Sequence, residues 1–181
     1  MIFEPIKPFF ASGYQVKYAT EVWERRGAAA LRRAVFCREQ GLFREDDADE
    51  IDKIATPIVA VSMLAVTADV VVGTVRIHEE SPGLWWGSRL AVAADHRRLS
   101  ALGTALIRLA VSSAHARGCT RFLAHVQSQN ALLFQRLHWT TIEEVEFHGR
   151  PHHFMQAELE HYPPFADAET GFWSLPTRKA A

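Results

Sequence analysis

A turn in the middle of the chain combines two arginines with small residues, and a helical pattern follows it directly. Arg97 and Arg98 carry full positive charges, while Ala101 and Gly103 keep the backbone open where the helix begins. The first N–H groups of a helix lack intrahelical partners and carry a partial positive charge. Because small side chains let a phosphate approach these groups, we expect the turn to bind the pyrophosphate of a nucleotide-like cofactor. A solvated turn is the alternative for the two arginines.

A strand and a helix must hold this turn in place. Apolar residues at every second position predict a strand over 84–92, with Trp86 and Leu90 on the same buried face. After the turn, apolar residues recur at helical spacing from Leu102, and Gly118 ends the run. The turn therefore joins the end of a strand to the start of a helix.

Length and composition limit the class of protein. The chain has 181 residues, of which 48% are hydrophobic, and a net charge of −1. This balance favours a soluble domain with a substantial core and argues against nucleic-acid binding, which leaves a basic footprint. Apolar runs are too short for a membrane span, and the N-terminus lacks a secretory pattern. Because Cys37 and Cys119 match no metal or disulfide spacing, we expect a reducing cytoplasm.

The predicted elements follow the order β-α-β-β-β-α-β-α-β-β. Beside 84–92, the strands are predicted at Tyr14–Val22, Pro57–Val66, Val70–His78, Arg121–Val126, Trp139–Phe147 and His152–Leu159. The other helices are predicted from about Trp23 or Gly27 to Gln40, and at Asn130–His138. Hairpins combined with strand–helix–strand units indicate a mixed sheet flanked by helices. The glycine patterns of the dinucleotide-binding and P-loop folds are absent from the sequence.

The C-terminal segment differs in composition from the rest of the chain. We expect residues 1–160 to form a single domain and residues 161–181 to form a tail rich in proline and polar residues. This tail is either loose or docked through Phe172 and Trp173. The last hairpin and these two aromatic residues are also candidate contacts of a homodimer.

An acidic run, Glu45–Asp52, places six carboxylates within eight residues. We expect such a run to stay out of the core, and it lacks the glycine and ligand spacing of a calcium loop. A solvated loop is one interpretation. Attraction of a cationic amine to the site is the other.

The residues around the turn resemble a known motif. Leu90-Ala-Val92 followed by Arg98-x-x-Ala101-x-Gly103 resembles the acetyl-CoA motif of the GNAT N-acetyltransferase superfamily. The element order over residues 14–160 is also similar to the GNAT fold, as is Phe134–Trp139. The resemblance implies an α/β (α+β) GNAT-like fold, with a mixed, mostly antiparallel central sheet of about seven strands.

Acetyl-CoA is the co-substrate that the resemblance implies. In such a site the backbone of Leu90–Val92 pairs with the pantetheine amides and places an N–H near the thioester carbonyl. Asn130 either binds the cofactor or caps the following helix. The predicted cofactor-binding residues are Leu90, Ala91, Val92, Arg97, Arg98, Leu99, Ser100, Ala101, Leu102, Gly103, Thr104, Asn130 and Phe134.

A closer likeness concerns three segments. Leu31–Gly41, Ala124–Gln127 and Gly149–Met155 look like a bacterial GNAT subgroup encoded beside nitrilases. That likeness implies small-molecule nitrogen metabolism, but it supplies no substrate.

Two residues depart from the family pattern. Ala101 replaces the first motif glycine, and since alanine adopts helical dihedrals we expect only a small loss. Phe134 occupies the position of the tyrosine that in the family is the usual candidate to protonate the CoA thiolate. A free thiol has a pKa of about 8.5, so the thiolate leaves readily without a dedicated acid. His138, Ser128 or water are the other candidates.

Acyl transfer to an amine also requires a base. An alkylamine has a pKa near 10.4, so its deprotonation at neutral pH needs assistance. The candidates are His78, Glu79, Glu80, His152 and His153, with Glu79 and His153 preferred. Alternation along the strand predicts His78 and Glu80 on one face and Glu79 on the other. Each of these residues also has an ordinary surface or hydrogen-bonding role as its alternative.

Several other residues have two interpretations. Trp85 and Trp86 either line an acceptor pocket or pack in the core, and Cys37 is predicted to be a small buried residue. His148, together with the two histidines at 152 and 153, suggests a metal site. Because no second ligand cluster accompanies them, we expect no metal.

The leading hypothesis is an N-acetyltransferase that moves an acetyl group from acetyl-CoA to a primary amine, with a small molecule as acceptor. A variant of the same class acetylates a protein lysine or N-terminus. The alternative is a catalytically silent CoA-binding or scaffolding module, which the replacements at Phe134 and Ala101 support.

Overall fold

Eight strands form one open sheet in the computed structural model, which describes residues 11, 13–98 and 101–175. The strands are β1 (Gly13–Tyr18), β2 (Thr56–Leu64), β3 (Thr67–Ser81), β4 (Leu84–Val92), β5 (Arg121–Gln127), β6 (Trp139–Phe147), β7 (Arg150–Ala157) and β8 (Phe172–Ser174). The helices are α1 (Val22–Arg32), α2 (Leu102–Ala116) and α3 (Ala131–Arg136). The sheet order is β6-β7-β5-β4-β3-β2-β1-β8, and every described pairing is antiparallel except β4 with β5. The predicted mixed, mostly antiparallel sheet is therefore confirmed.

The two longer helices cover opposite faces of the sheet. Successive residues of β2 divide between two buried clusters, with Ile58 in the cluster of α2 and Val59 beside Ala28 of α1. Because successive strand residues point to opposite sides, α1 and α2 lie on different faces. Within the described chain, no helix is long and apolar enough to span a membrane.

The segment predicted as a tail contributes the eighth strand. β8 pairs with β1, and Tyr162 and Ala168 on the way to it are buried. The Phe172 ring lies edge-on to Phe165, with centroids 6.1 Å apart. The docked alternative is thus the observed one, and the sheet has one strand more than the expected seven.

The first predicted helix changes character before its end. After α1, residues Arg33–Glu39 form a π-helix, a wider turn that is rare and frequent at functional sites. This segment buries Phe36, and Gln40 follows it. Cys37 is only half-buried, so its prediction as a buried residue was wrong.

A bulge in β4 separates residues that we predicted to share one face. Thr74 pairs with Ala91 and Arg76 with Ser88, so β4 holds one residue more than β3 between these pairs. Arg89, with φ at +56°, lies in this bulge. The extra residue reverses the alternation, so Leu90 packs toward α2 whereas Trp86 faces the opposite side. Trp85, not Trp86, is the buried tryptophan.

Candidate functional site

The parallel strands β4 and β5 separate in the middle of the sheet. Within the described part of the chain they pair only at Leu84 with Arg121, Trp85 with Phe122 and Trp86 with Leu123. Beyond these pairs β4 keeps β3 as its neighbour and β5 keeps β7. Each strand therefore presents an edge without a ladder partner to the gap. A cavity of about 550 Å³ opens there and extends to both faces of the sheet.

Gly87 lies where the strands part. A Cβ atom at this position would lie 3.0 Å from Cε1 and 3.3 Å from Cζ of Phe122. The Phe122 ring thus packs directly against the β4 backbone, and only glycine fits this approach without displacement. The ring fills the point of separation and forms part of the cavity wall.

The two faces of the cleft differ in chemistry. On the side of α2 the wall is apolar, with Ile107, Ala110, Phe134 and Trp139. The opposite side is polar and aromatic, and it includes Arg76, His78, Glu80, Trp86, Ser88, Arg89, His125, His148 and His152. An apolar cleft with a few convergent polar groups is the usual form of a small-molecule site.

The predicted phosphate turn begins α2 as expected. The first intrahelical bond runs from Ala105 N to Ala101 O over 2.9 Å, and no described side chain caps the helix. The N–H groups of residues 102–104 therefore lack helical partners. A Cβ atom at Gly103 would meet no atom of the described residues within 4 Å, which leaves room for a ligand on that side. Leu99 and Ser100 lie outside the described residues, and the Leu102 side chain is buried in the core.

The two arginines of the turn differ in their contacts. Arg97 donates to both carboxylate oxygens of Glu39, at 2.5 and 2.8 Å, and to the Val92 carbonyl at 2.9 Å. Arg98 is exposed. Contact of either side chain with phosphate stays a prediction, and for Arg97 it requires exchange of the Glu39 partner.

The predicted pantetheine strand borders the cleft through one side chain. Leu90 lines the cavity, whereas Ala91 is buried against the π-helix beside Phe36, and Val92 packs toward α2. The role that the resemblance implies for this strand belongs to its backbone, which has no partner on the β5 side after Trp86.

Asn130 and Phe134 lie on the other side of the cleft. Both line the cavity, and Asn130 is the N-cap residue of α3 but makes no side-chain capping bond with a described group. Its amide is therefore available to a ligand. The Phe134 ring is buried and lies edge-on to Trp139, with centroids 5.0 Å apart.

The two preferred base candidates, Glu79 and His153, and the acid candidate His138 do not line the cleft. The Glu79 carboxylate accepts from the Gly83 backbone N–H at 2.9 Å in the β3–β4 turn. His153 lies 3.2 Å from the Thr141 hydroxyl, on the other face of β7 from His152. His138 stacks on His161 with centroids 3.6 Å apart. A catalytic role for these residues stays a prediction without support from their position.

Three other base candidates line the cleft. His78, Glu80 and His152 all contribute to its wall, which agrees with the predicted alternation of residues 78–80. His78 is 8% exposed, and its Nδ1 is buried without a hydrogen-bond partner among the described groups. Burial, reinforced by the Arg76 guanidinium, lowers the pKa of His78, so the neutral imidazole is favoured.

Sequence reasoning did not identify His125 as a cleft residue, and it considered His148 only as a metal ligand. His125 is exposed as a whole, but partial desolvation by the groups packed around it lowers its pKa, with a further contribution from His152 and His148. Burial and Arg89 lower the pKa of His148. The alternation of β5 was a usable signal, because it places His125 on the face opposite to the buried residues Ala124 and Val126.

The acidic run is exposed at Glu45, Asp46 and Glu50 but buried at Asp47, so the expectation that the whole run stays out of the interior was wrong at Asp47. Asp47 is 2% exposed and accepts from Nε of Arg32 at 2.7 Å and from Nε of Arg89 at 2.9 Å. Two guanidinium groups from distant segments thus compensate its burial. The run ties α1 to the β4 bulge.

A second pair extends this network into the cleft. Asp49 accepts from Nη1 and Nη2 of Arg76 at 2.7 and 2.8 Å, and Arg76 Nε donates to the Ser88 hydroxyl at 2.9 Å. These hydrogen bonds hold the pKa of Asp49 below its ordinary value. Both partners line the cavity, so its polar wall is rigid and the paired charges largely cancel.

The sequence and the fold were compared with known proteins. A model of the acetyltransferase (GNAT) family matches residues 21–139. None of the curated proteins compared with the chain matches it.

The chain is similar in fold to several solved structures. A candidate N-acetyltransferase from Lactobacillus plantarum has 20% identity and a TM-score of 0.70, covering 80% of this chain and 97% of its own. Escherichia coli ElaA has 21% identity and a TM-score of 0.66, and the match covers 80% of this chain and 98% of ElaA. BjaI is a CoA-dependent acyl-homoserine lactone synthase whose structure was solved with SAM and isopentyl-CoA. It has 16% identity and a TM-score of 0.62, and the match covers 80% of this chain and 82% of BjaI. At these identities the likeness shows the fold.

Proposed function

Because the chain belongs to the GNAT acetyltransferase family, we propose that it transfers an acetyl group from acetyl-CoA to the primary amine of a small molecule. The observation that carries this proposal is the separation of β4 from β5 after Trp86 and Leu123. It leaves backbone donors and acceptors on a cavity wall, where the amides of an extended cofactor arm can pair with them.

The phosphates of the cofactor bind at the start of α2 in this proposal. The open space at Gly103 and the N–H groups of residues 102–104 support this placement. Arg98 adds a charge at the rim, and the Asn130 amide is free to bind the cofactor from the α3 side. The pantetheine arm then lies along the edge of β4 at Leu90–Val92.

The reaction needs one bond formed and one broken. The amine nitrogen attacks the thioester carbonyl carbon, the C–S bond breaks, and CoA leaves as a thiolate that takes up a proton. Negative charge develops on the carbonyl oxygen, so an N–H group of the β4 edge near the Arg89 bulge acts as the oxyanion donor.

His78 is the base that the geometry supports best. It lines the cleft as a buried imidazole, and both its burial and Arg76 lower its pKa. It therefore accepts the amine proton as a neutral group at neutral pH. Glu80 and His152 line the same wall and are the next candidates.

Phe134 supports the alternative of a catalytically silent CoA-binding module. Its ring has no proton to give, and it lies in the wall where the family places a tyrosine. The low pKa of a thiol relative to an alkylamine supports turnover without a dedicated acid. The two functions differ in one measurable property, the release of free CoA in the presence of an amine.

The proposal also names the acyl donor and the cellular location of the protein. Acetyl is the first donor to test, and the similarity to BjaI, whose structure holds isopentyl-CoA, makes a branched C5 donor the second. Cys37 and Cys119 are free thiols, which supports a reducing cytoplasm.

The experiment has two stages. Calorimetry with acetyl-CoA and with CoA measures binding, and free-thiol release against a panel of small amines and a lysine peptide measures transfer. Binding followed by release with small amines supports the proposal. Binding without release across the panel supports the silent module, release with the peptide alone supports a protein acetyltransferase, and absence of binding contradicts the cofactor assignment.

A further inference from the structure

Four aromatic rings stack on one another on the side of the cleft opposite to α2, and three of them line its cavity. Trp86, His125, Phe147 and Phe154, called here the aromatic wall, come from β4, β5, β6 and β7. The Trp86 and His125 rings lie 5.4 Å apart at 23°, and the Trp86 and Phe154 rings 5.7 Å apart at 17°. His125 and Phe147 are 4.7 Å apart at 13°. At these distances nearly parallel rings stack on one another with an offset, so neighbouring faces cover each other in part, and the rings that still border the cavity are those of Trp86, His125 and Phe147.

The aromatic wall is accessible where it borders the cavity. Trp86 is half-buried, His125 is exposed and Phe147 is 39% exposed, and all three line the cleft. An exposed aromatic surface inside a cavity is typical of a binding site for an apolar or planar group.

The charged groups beside the aromatic wall differ in how they are compensated. Arg76 and Arg89 line the same side of the cleft, and the Glu80 carboxylate is engaged by Trp86 Nε1 at 3.1 Å. Asp49 is compensated by Arg76 through two hydrogen bonds. An indole N–H is a neutral donor, so Glu80 keeps its negative charge and attracts the ammonium group of an amine whose ring lies on Trp86.

The aromatic wall also lies beside the proposed reaction centre. Trp86 is the direct cross-strand partner of His78, and neighbours of this kind have Cβ atoms about 5 Å apart. A ring stacked on Trp86 therefore carries an amine on a short side chain within reach of the His78 imidazole and of the β4 edge.

We infer that the acceptor is an arylalkylamine, a primary amine attached through a short chain to a planar aromatic ring that stacks on the aromatic wall. This inference rests on the proposed acyl transfer for its biological meaning. The inference predicts that the cleft binds an aromatic ring more tightly than a saturated one. This preference can be tested by binding alone, without catalysis.

The test compares two amines of nearly equal size and basicity. Binding of 2-phenylethylamine and 2-cyclohexylethylamine is measured by calorimetry, with and without saturating CoA, so that no turnover occurs. We expect the aromatic amine to bind about threefold to tenfold more tightly, the range for one offset-stacked ring pair. Equal affinities, or tighter binding of the saturated amine, would overturn the inference.

Variants locate the preference on the aromatic wall. Trp86→Leu is expected to abolish the difference between the two amines, and Phe147→Leu, at a more exposed position, to reduce it. Trp173→Leu is the matched control, because Trp173 is 57% exposed on β8 at the far edge of the sheet. A preference that persists in both wall variants overturns the inference. Thiol release is measured in parallel, and its absence with every amine counts against acyl transfer while the affinity ratio still decides the ring preference.

Discussion

Trp86 of β4 and Leu123 of β5 are the last residues at which these parallel strands pair before they separate. The open strand edges of the cleft follow from this relationship. The strand edges beyond the pair are open, Phe122 packs against Gly87 at the point of separation, and the cavity begins there. Trp86 itself begins the aromatic side of the cleft.

His78→Gln is predicted to lower kcat by about 100-fold, because the neutral imidazole no longer accepts the amine proton. The measurement is thiol release at saturating acetyl-CoA and amine. Burial and Arg76 lower the pKa of His78 while Glu80 and Asp49 oppose this shift, so the acid limb of the wild-type kcat profile should lie below pH 6.5. The substitution should remove that limb.

His153→Gln and Glu79→Gln are the comparison variants for this prediction. Neither side chain lines the cleft, so kcat should stay within about twofold of wild type, as is usual away from a reacting centre. A large loss in either variant with little change in His78→Gln would show that the sequence-preferred residues carry the chemistry.

Phe134→Tyr is predicted to raise kcat by about tenfold or less below pH 8.5, since it adds a proton donor for the CoA thiolate. The position is buried in the cleft wall, so the hydroxyl would face the cofactor side. Phe172→Tyr on β8 adds the same hydroxyl far from the cleft and serves as the control. Unaltered turnover in Phe134→Tyr would mean that another group already protonates the thiolate.

Asp47→Asn is predicted to destabilise the fold by about 3 kcal/mol, because Arg32 and Arg89 would lose a buried counter-charge. Urea unfolding measures this change. Glu45→Gln removes an exposed carboxylate from the same acidic run and should cost less than about 0.5 kcal/mol. Equal effects of the two substitutions would contradict the buried network.

Asp49 makes stability depend on pH. Its pKa is lowered in the folded state, chiefly by the hydrogen bonds from Arg76, so its contribution is fully present above the ordinary carboxyl pKa of about 3.9. It is lost as the pH falls through the lower folded value. We predict that Asp49→Asn reduces the unfolding free energy at pH 7, and that the difference from wild type shrinks below about pH 4. A difference that stays constant down to pH 2 would contradict this.

The elements near the cofactor turn were predictable because local signals determine them. Strand alternation over 84–92 and helical spacing after Leu102 both correspond to observed elements. The reversal of faces at Arg89 was not predictable in this way, because a bulge depends on pairing with β3 and leaves no pattern in β4 alone.

Features that depend on contacts between distant segments could not be predicted from the sequence. A solvated loop was one interpretation of the acidic run because its partners lie in other segments of the sequence. Arg32, Arg76 and Arg89 form ion pairs with the run only once the chain is folded. β8 has three residues, too few for a periodic signal, and it is defined by its pairing with β1. The aromatic wall likewise draws one ring from each of four strands.

The most direct test of the central claim is calorimetric titration of acetyl-CoA into wild type, Gly103→Glu and Gly103→Gln. No atom of the described residues would contact a Cβ atom at position 103, so we expect all three proteins to fold alike. We predict binding at one site per chain in wild type and largely retained binding in the glutamine variant. The glutamate variant should lose binding, because its carboxylate meets the pyrophosphate. Equal affinity of the glutamate and glutamine variants would contradict a phosphate site at the start of α2.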